Sequence, residues 1–152
     1  MQQIKFHTAL IKTLPVIMAS FIALSFSTKF GLDSYEIYLN NKIILKQAVN
    51  QPTSLRMLQL NQANKNDQLR IIYTHCSNKG SGTERTISLK DENGRDLKKW
   101  GFDNATGADL GMYISVKELL NLENANSGHQ LSIYYTAKEL PKSEMLSILH
   151  FK

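Results

Sequence analysis

Apolar residues in the chain beyond position 33 recur mainly at every second position, the spacing that places alternate side chains of a strand on one face. Residues 35–39 carry the first such pattern, and residues 42–46 carry the second. Asn40 and Asn41 stand between them, and asparagine tolerates the positive φ of a tight hairpin turn. The pattern therefore predicts a β-hairpin at the start of the domain.

Further short segments combine this alternation with β-branched or aromatic residues, as strands do. Asp91-Glu92-Asn93-Gly94 separates two of them and is a turn signature, because Gly94 can take a left-handed conformation. Leu97 and Trp100 have opposite parity, which predicts a β-bulge near Lys98 and Lys99. The predicted strands after the first hairpin cover residues 57–60, 68–76, 86–90, 97–102, 112–116, 130–136 and 145–151.

One segment favours a helix. Ser115 and Glu118 have the spacing of a capping box, and leucines follow before a stop at residues 124–128. Turn signals recur at intervals of roughly 8–12 residues without alternation of strands and helices. The sequence therefore predicts a mainly β fold: an antiparallel β-sandwich of about eight strands with one short helix, or alternatively a small closed β-barrel.

The N-terminus has the parts of a secretory signal. Two lysines and no acidic residue accompany an apolar run at residues 14–24, followed by small residues at cleavage spacing. We expect a signal peptide over residues 1–27, cleaved to start the mature chain near Phe26 or Thr28, and a single β domain over 28–152. An uncleaved anchor is the alternative, and it would be the protein's one contact with a membrane.

Composition and charge add two constraints. The chain has 42% apolar residues and a net charge of +5, which falls to +3 without the two lysines of the N-terminal segment. So small a surplus does not indicate a nucleic-acid partner, which requires a dense basic stripe. Cys76 is the single cysteine, so an intramolecular disulfide is impossible. A thiol that joins two copies of the chain is a hypothesis.

Several side chains are candidates for binding. His75 and Cys76 are adjacent, so in a strand they point to opposite faces and do not form a pair. Aromatic rings on a β domain can stack on sugar rings, or simply pack in the core. The candidate ligand-binding residues are Trp100, Tyr113, Tyr134, Tyr135 and His75.

Metal and cofactor sites have little support in the sequence. The turn at residues 91–96 lacks the ligand spacing of a calcium-binding EF-hand loop. Asp103 and Asp109 flank another polar loop and are the alternative calcium ligands. We expect no metal and no cofactor.

The function that these patterns favour is binding. The chain contains no Gly-x-Ser-x-Gly, no His-Glu-x-x-His and no phosphate-binding glycine loop. We expect an exported, periplasmic or extracellular, non-catalytic β domain that acts as a binding or scaffolding module, with an unknown protein or glycan at the cell surface as its partner. The alternatives are a carbohydrate-binding module, and a small-ligand carrier barrel or a hydrolase.

Overall fold

Nine strands, one α-helix and a short 3-10 helix at Thr53–Leu55 form the regular structure of the residues described by the computed structural model, which are 31–61, 63–76, 82–104 and 111–151. They belong to a compact unit that begins at Gly31. The predicted signal peptide and Asp109 lie outside the described residues. The elements are β1 (Ser34–Leu39), β2 (Lys42–Ala48), β3 (Met57–Gln59), β4 (Gln68–Thr74), β5 (Arg85–Lys90), β6 (Asp96–Phe102), β7 (Met112–Ser115), α1 (Val116–Ala125), β8 (Ser132–Thr136) and β9 (Glu144–His150).

The strands form two sheets, which confirms the predicted sandwich over the closed barrel. The first sheet has the order β2-β1-β4-β7 and is antiparallel throughout. The second has the order β3-β9-β8-β5-β6, and its edge strand β3 is parallel to β9. This parallel pair departs from the antiparallel prediction. Strands so distant in the chain have enough intervening residues for the crossover that parallel pairing requires.

The core lies between the inward faces of the two sheets. Its side chains alternate along the strands with outward ones, and Leu69, Ile71 and Tyr73 of β4 are buried as their shared parity predicts. Val116 and Leu119 add one face of α1. Each fully buried aliphatic side chain contributes about 1.5–3 kcal/mol relative to an exposed one, so this alternation carries the stability of the fold.

The predicted turns are present. Asn40 has a φ of 55° in the β1–β2 hairpin, and Gly94 has a φ of 78° in the β5–β6 hairpin. The bulge in the second hairpin lies one residue earlier than predicted. Leu89 pairs with Lys98 and Lys90 pairs with Asp96, which leaves Leu97 as the additional residue.

The predicted capping box is wrong, although α1 begins where it places the helix. Ser115 makes no side-chain capping hydrogen bond. Glu118 instead accepts a hydrogen bond from Nε1 of Trp100 (2.9 Å) and pairs with Nζ of Lys98 (3.1 Å). These partners on β6 hold the helix against the edge of the second sheet, a contact that local spacing cannot reveal. No helix among the described residues is long and apolar enough to cross a membrane.

Arg56 links the region between β2 and β3 to strand β9. Its side chain is only 7% exposed and donates to the backbone oxygens of Gln51 (3.0 Å), Val49 and Met145 (2.5 Å). Its guanidinium also lies 2.6 Å from Oε1 of Glu144. A buried charge is tolerated only with such partners, so Arg56 acts as a clamp between these segments.

Candidate binding surface

Two of the predicted site residues, His75 and Tyr135, meet in a buried polar network between the sheets. His75 is 2% exposed, and its Nε2 lies 3.0 Å from the hydroxyl of Tyr135. Its Nδ1 lies 3.3 Å from Oδ2 of Asp33, which also accepts a hydrogen bond from the Tyr73 hydroxyl at 3.0 Å. The rings of Tyr73 and Tyr135 stack with their centroids 4.2 Å apart. The network therefore ties β4 of one sheet to β8 of the other.

The connectivity of carboxylate, imidazole and hydroxyl resembles that of a catalytic triad. However, the imidazole and the hydroxyl are shielded from solvent, and only the Asp33 carboxylate is partly exposed. A Cβ atom added to Gly82 would lie 2.6 Å from the Tyr135 hydroxyl and 3.1 Å from Nε2 of His75, so the backbone of Gly82 covers this end of the network. Burial raises the pKa of both Tyr73 and Tyr135, which keeps the two hydroxyls protonated. Buried networks with their groups paired make a core rigid, and that is the role this geometry supports.

Among the described residues, the side chains of Trp100 and Tyr134 form no hydrogen bond with this network, and strand pairing places them on opposite faces of the five-stranded sheet. Trp100 is half-buried on β6, where its ring nitrogen is engaged by Glu118. Tyr134 is half-buried on β8, and the ammonium of Lys90 lies 5.2 Å from its ring centroid. The structure therefore does not bring the five predicted ligand-binding residues together into one site.

Tyr113 is the member of that set with the most accessible ring, at 45% exposure. It lies on the outer face of the four-stranded sheet, where cross-strand pairing aligns one residue from each strand. Ile43 pairs with Tyr38, Tyr38 with Arg70, and Arg70 with Tyr113. Because paired residues project from the same face, these four side chains form a row across the sheet, called here the cross-strand row.

Arg70 is the charged member of the cross-strand row. Its guanidinium carbon lies 4.2 Å from the centroid of the Tyr38 ring, a cation–π contact. Its Nε is buried and has no hydrogen-bond partner, and Arg70 forms no ion pair among the described residues. The guanidinium of Arg70 is thus positioned by its contact with the Tyr38 ring, and no carboxylate of the described residues lies within ion-pair distance of it.

Glu36 lies two residues before Tyr38 in β1, on the same face, and its carboxylate already has two partners. It accepts a hydrogen bond from the Tyr38 hydroxyl at 2.5 Å and lies 2.6 Å from Nζ of Lys46. The hydrogen bond from Lys46, with that from Tyr38, lowers the pKa of Glu36, so its carboxylate stays ionised at neutral pH. Glu36 therefore forms its ion pair with Lys46, while the more distant charge of Arg70 makes a smaller contribution to lowering its pKa.

A small cavity of about 180 Å³ opens beside the C-terminal end of β9. Its lining comprises Glu123, His129, Leu131, Leu149, His150 and Phe151. Nδ1 of His129 lies 2.6 Å from Oε1 of Glu92, and this hydrogen bond lowers the pKa of that carboxyl. Ligand pockets usually enclose roughly 300–1,000 Å³, so this cavity is small for an organic ligand.

Asp103 and Cys76, the candidates for metal binding and for an intermolecular disulfide, have different neighbours. The backbone oxygen of Asp103 accepts two hydrogen bonds from Arg85. Across the described part of the chain, no three His, Cys, Asp or Glu side chains are grouped so that they could hold a metal ion. Cys76 is exposed, and its Sγ lies against the backbone of Gly31.

The cross-strand row contains residues that the sequence analysis did not select. Tyr38 and Arg70 were treated as ordinary strand residues. Their parity carried the signal, since each alternates with buried neighbours and so faces outward. An arginine between the apolar residues Leu69 and Ile71 was the further sign. Only the strand order shows that both lie in one row with Tyr113.

Comparisons with known proteins add no relationship: no protein-family model matches the chain, and neither a curated protein nor a solved structure is significantly similar to it.

Proposed function

We propose that this chain is an exported, periplasmic or extracellular, non-catalytic binding module, and that the outer face of its four-stranded sheet is the binding surface. The observation that carries the proposal is the cross-strand row. It presents an arginine without an ion-pair partner, with exposed apolar or aromatic side chains at both ends. The proposal includes export from the cytoplasm, which the N-terminal signal predicts.

The composition of the row supports a role in recognition. Tyrosine and arginine are enriched in binding interfaces and dominate their energetics, whereas lysine and glutamate are depleted. Ile43 and Tyr113 are 48% and 45% exposed at the two ends of the row. A partner would remove their apolar surface from water and gain about 25 cal/mol per Å² of it, less the entropic cost of association.

The surface is also pre-organised. Arg70 is held over Tyr38, and Tyr38 is fixed in turn by its hydrogen bond to Glu36. A side chain that is already ordered loses little rotamer entropy when a ligand binds. The flat face of a β-sheet adds rigidity, since its strands are anchored by the core beneath.

Carbohydrate binding is the second candidate function. The accessible ring of Tyr113 favours it, because an aromatic face can stack on a sugar ring. Whether the bound molecule is a glycan or a protein distinguishes carbohydrate binding from protein binding.

Photo-crosslinking from within the surface tests the proposal. A photoreactive phenylalanine would replace Tyr113 in the full chain, expressed in its native host, and a matched variant would carry it at Lys99. Lys99 has a 60% exposed side chain on β6 of the other sheet. We expect light-dependent adducts from position 113 and none from position 99. The same adducts from both positions, or none from either, would refute the assignment of this surface.

A further inference from the structure

We infer that the ligand of the cross-strand row is an extended acidic peptide segment of a partner protein, in which one carboxylate side chain pairs with Arg70 between two apolar side chains. This inference rests on the proposed function and specifies the chemistry of the partner. It follows from the unpaired charge of Arg70, the dimensions of the row and the apolar character of its ends.

The charge of Arg70 calls for an anion. A guanidinium offers a planar fork of donors that matches a carboxylate, and the described residues provide no such partner. Glu36 is the acidic neighbour on this face, and Lys46 and Tyr38 already occupy it. A second copy that met this face with its own cross-strand row would bring the same occupied carboxylate, so a face-to-face dimer does not satisfy Arg70. A separate acidic partner does.

The dimensions of the row fit an extended peptide. Adjacent strands lie about 4.8 Å apart, so Ile43 and Tyr113, at the two ends of four strands, are about 14 Å apart. Same-side residues of an extended peptide recur about every 7 Å, so three of them span that distance. A peptide that crosses the strands would place its outer two side chains against Ile43 and Tyr113. Its middle side chain would then face Arg70 and Tyr38.

The ends of the row favour a peptide over a glycan. Ile43 has no ring on which a sugar could stack, and it is as exposed as Tyr113. Apolar side chains of a peptide would cover both ends equally well. The predicted recognition pattern is an apolar residue, any residue, an acidic residue, any residue and a second apolar residue.

Selection from a random peptide library tests this pattern. The immobilised full chain would be the target, and the enriched peptides would be synthesised together with counterparts in which Glu or Asp becomes Gln or Asn. Affinities for the wild type, Arg70→Gln and Arg70→Lys would be measured by calorimetry. Lys142→Gln is the control of matched charge, since Lys142 is exposed in the β8–β9 turn.

We expect the enriched peptides to carry an acid flanked by apolar residues two positions away on each side. Arg70→Gln should weaken their binding roughly tenfold or more, because a charge-assisted pair is lost. The affinity of Arg70→Lys should lie between those of Arg70→Gln and the wild type, because lysine keeps the positive charge but lacks the planar guanidinium that donates two parallel hydrogen bonds. Lys142→Gln should bind as the wild type does. If Arg70→Gln does not fold, the amidated peptides must show the same loss against the unaltered chain.

Three outcomes would overturn the inference. The first is enrichment of peptides without an acid, and the second is equal affinity for wild type and Arg70→Gln. The third is the absence of any enriched peptide while polygalacturonate binds in an Arg70-dependent manner, which would assign the surface to an acidic glycan. All three leave the proposed function intact if position 113 crosslinks in the host. Failure of that crosslink would remove the proposed function itself.

Discussion

Gly82 provides a sharp test of how the two sheets are joined, because it has no room for a methyl group. A Cβ at this position would lie 2.6 Å from the hydroxyl oxygen of Tyr135 and 3.1 Å from Nε2 of His75. The φ of Gly82 is outside the left-handed region, so an alanine there is opposed by contact and not by backbone strain. Gly82→Ala should therefore displace the Tyr135 hydroxyl and break its hydrogen bond to His75.

The magnitude follows from two costs. Overpacking a close-packed site destabilises by about 1–3 kcal/mol. Tyr135→Phe alone removes the hydroxyl and leaves a buried nitrogen of His75 without this partner, which costs about 1–3 kcal/mol. In the variant that combines Gly82→Ala with Tyr135→Phe, the oxygen that opposes the methyl group is absent. We therefore expect this double variant to lose about as much unfolding free energy as Tyr135→Phe alone, which corresponds to a coupling free energy of about 1–2 kcal/mol.

Urea unfolding of the four proteins at neutral pH measures this coupling, provided that the slope of the unfolding free energy against urea is unchanged. Gly101→Ala is the matched control, because a Cβ there meets nothing within 4 Å. It should leave stability unchanged or raise it by up to about 1 kcal/mol. Strictly additive losses for Gly82→Ala and Tyr135→Phe would refute the proposed close packing over the network.

Three further predictions concern other parts of the chain. Arg56→Met should lower the free energy of unfolding by about 3–5 kcal/mol in urea titrations, because it leaves a half-buried carboxylate unpaired. The hydrogen bond from Trp100 lowers the pKa of Glu118 from its ordinary 4.5, so the fluorescence of the single tryptophan should remain constant as pH falls to that value and change below it. Exported protein should begin near Phe26 or Thr28 when its intact mass is measured.

The first two of these predictions have a control variant. Lys65→Met, at an exposed loop position, should cost little in the same titration as the Arg56 variant. For Glu118, the folded-state pKa lies below the unfolded one. The stability contributed by its ionised form is therefore present at neutral pH and lost as pH falls through the folded pKa. Glu118→Gln should abolish the fluorescence transition, and its persistence would assign the transition to another group. An intact mass that includes Met1 would count against cleavage.

The period-two pattern determined much of the fold without help from tertiary contacts. It located most strands within a few residues and placed Leu69, Ile71 and Tyr73 on the buried face. Turn chemistry was equally local, because asparagine and glycine tolerate positive φ wherever they occur. The errors came where distant residues compete with local ones. The capping box failed because Trp100 and Lys98 occupy Glu118.

The site shows the same division more strongly. Parity alone indicates that His75 points inward and that Tyr38, Arg70 and Tyr113 point outward, since successive side chains of a strand alternate between faces. Parity does not tell which strands are neighbours. Strand order placed β4 between β1 and β7, and so brought Arg70 between two tyrosines. Parity in the chain indicated the face of most strand residues, although the irregular pairing of β1 with β2 turns Ile43 outward despite its shared parity with buried Leu45. Only the packed sheets decided which residues meet, because pairing joins strands far apart in sequence.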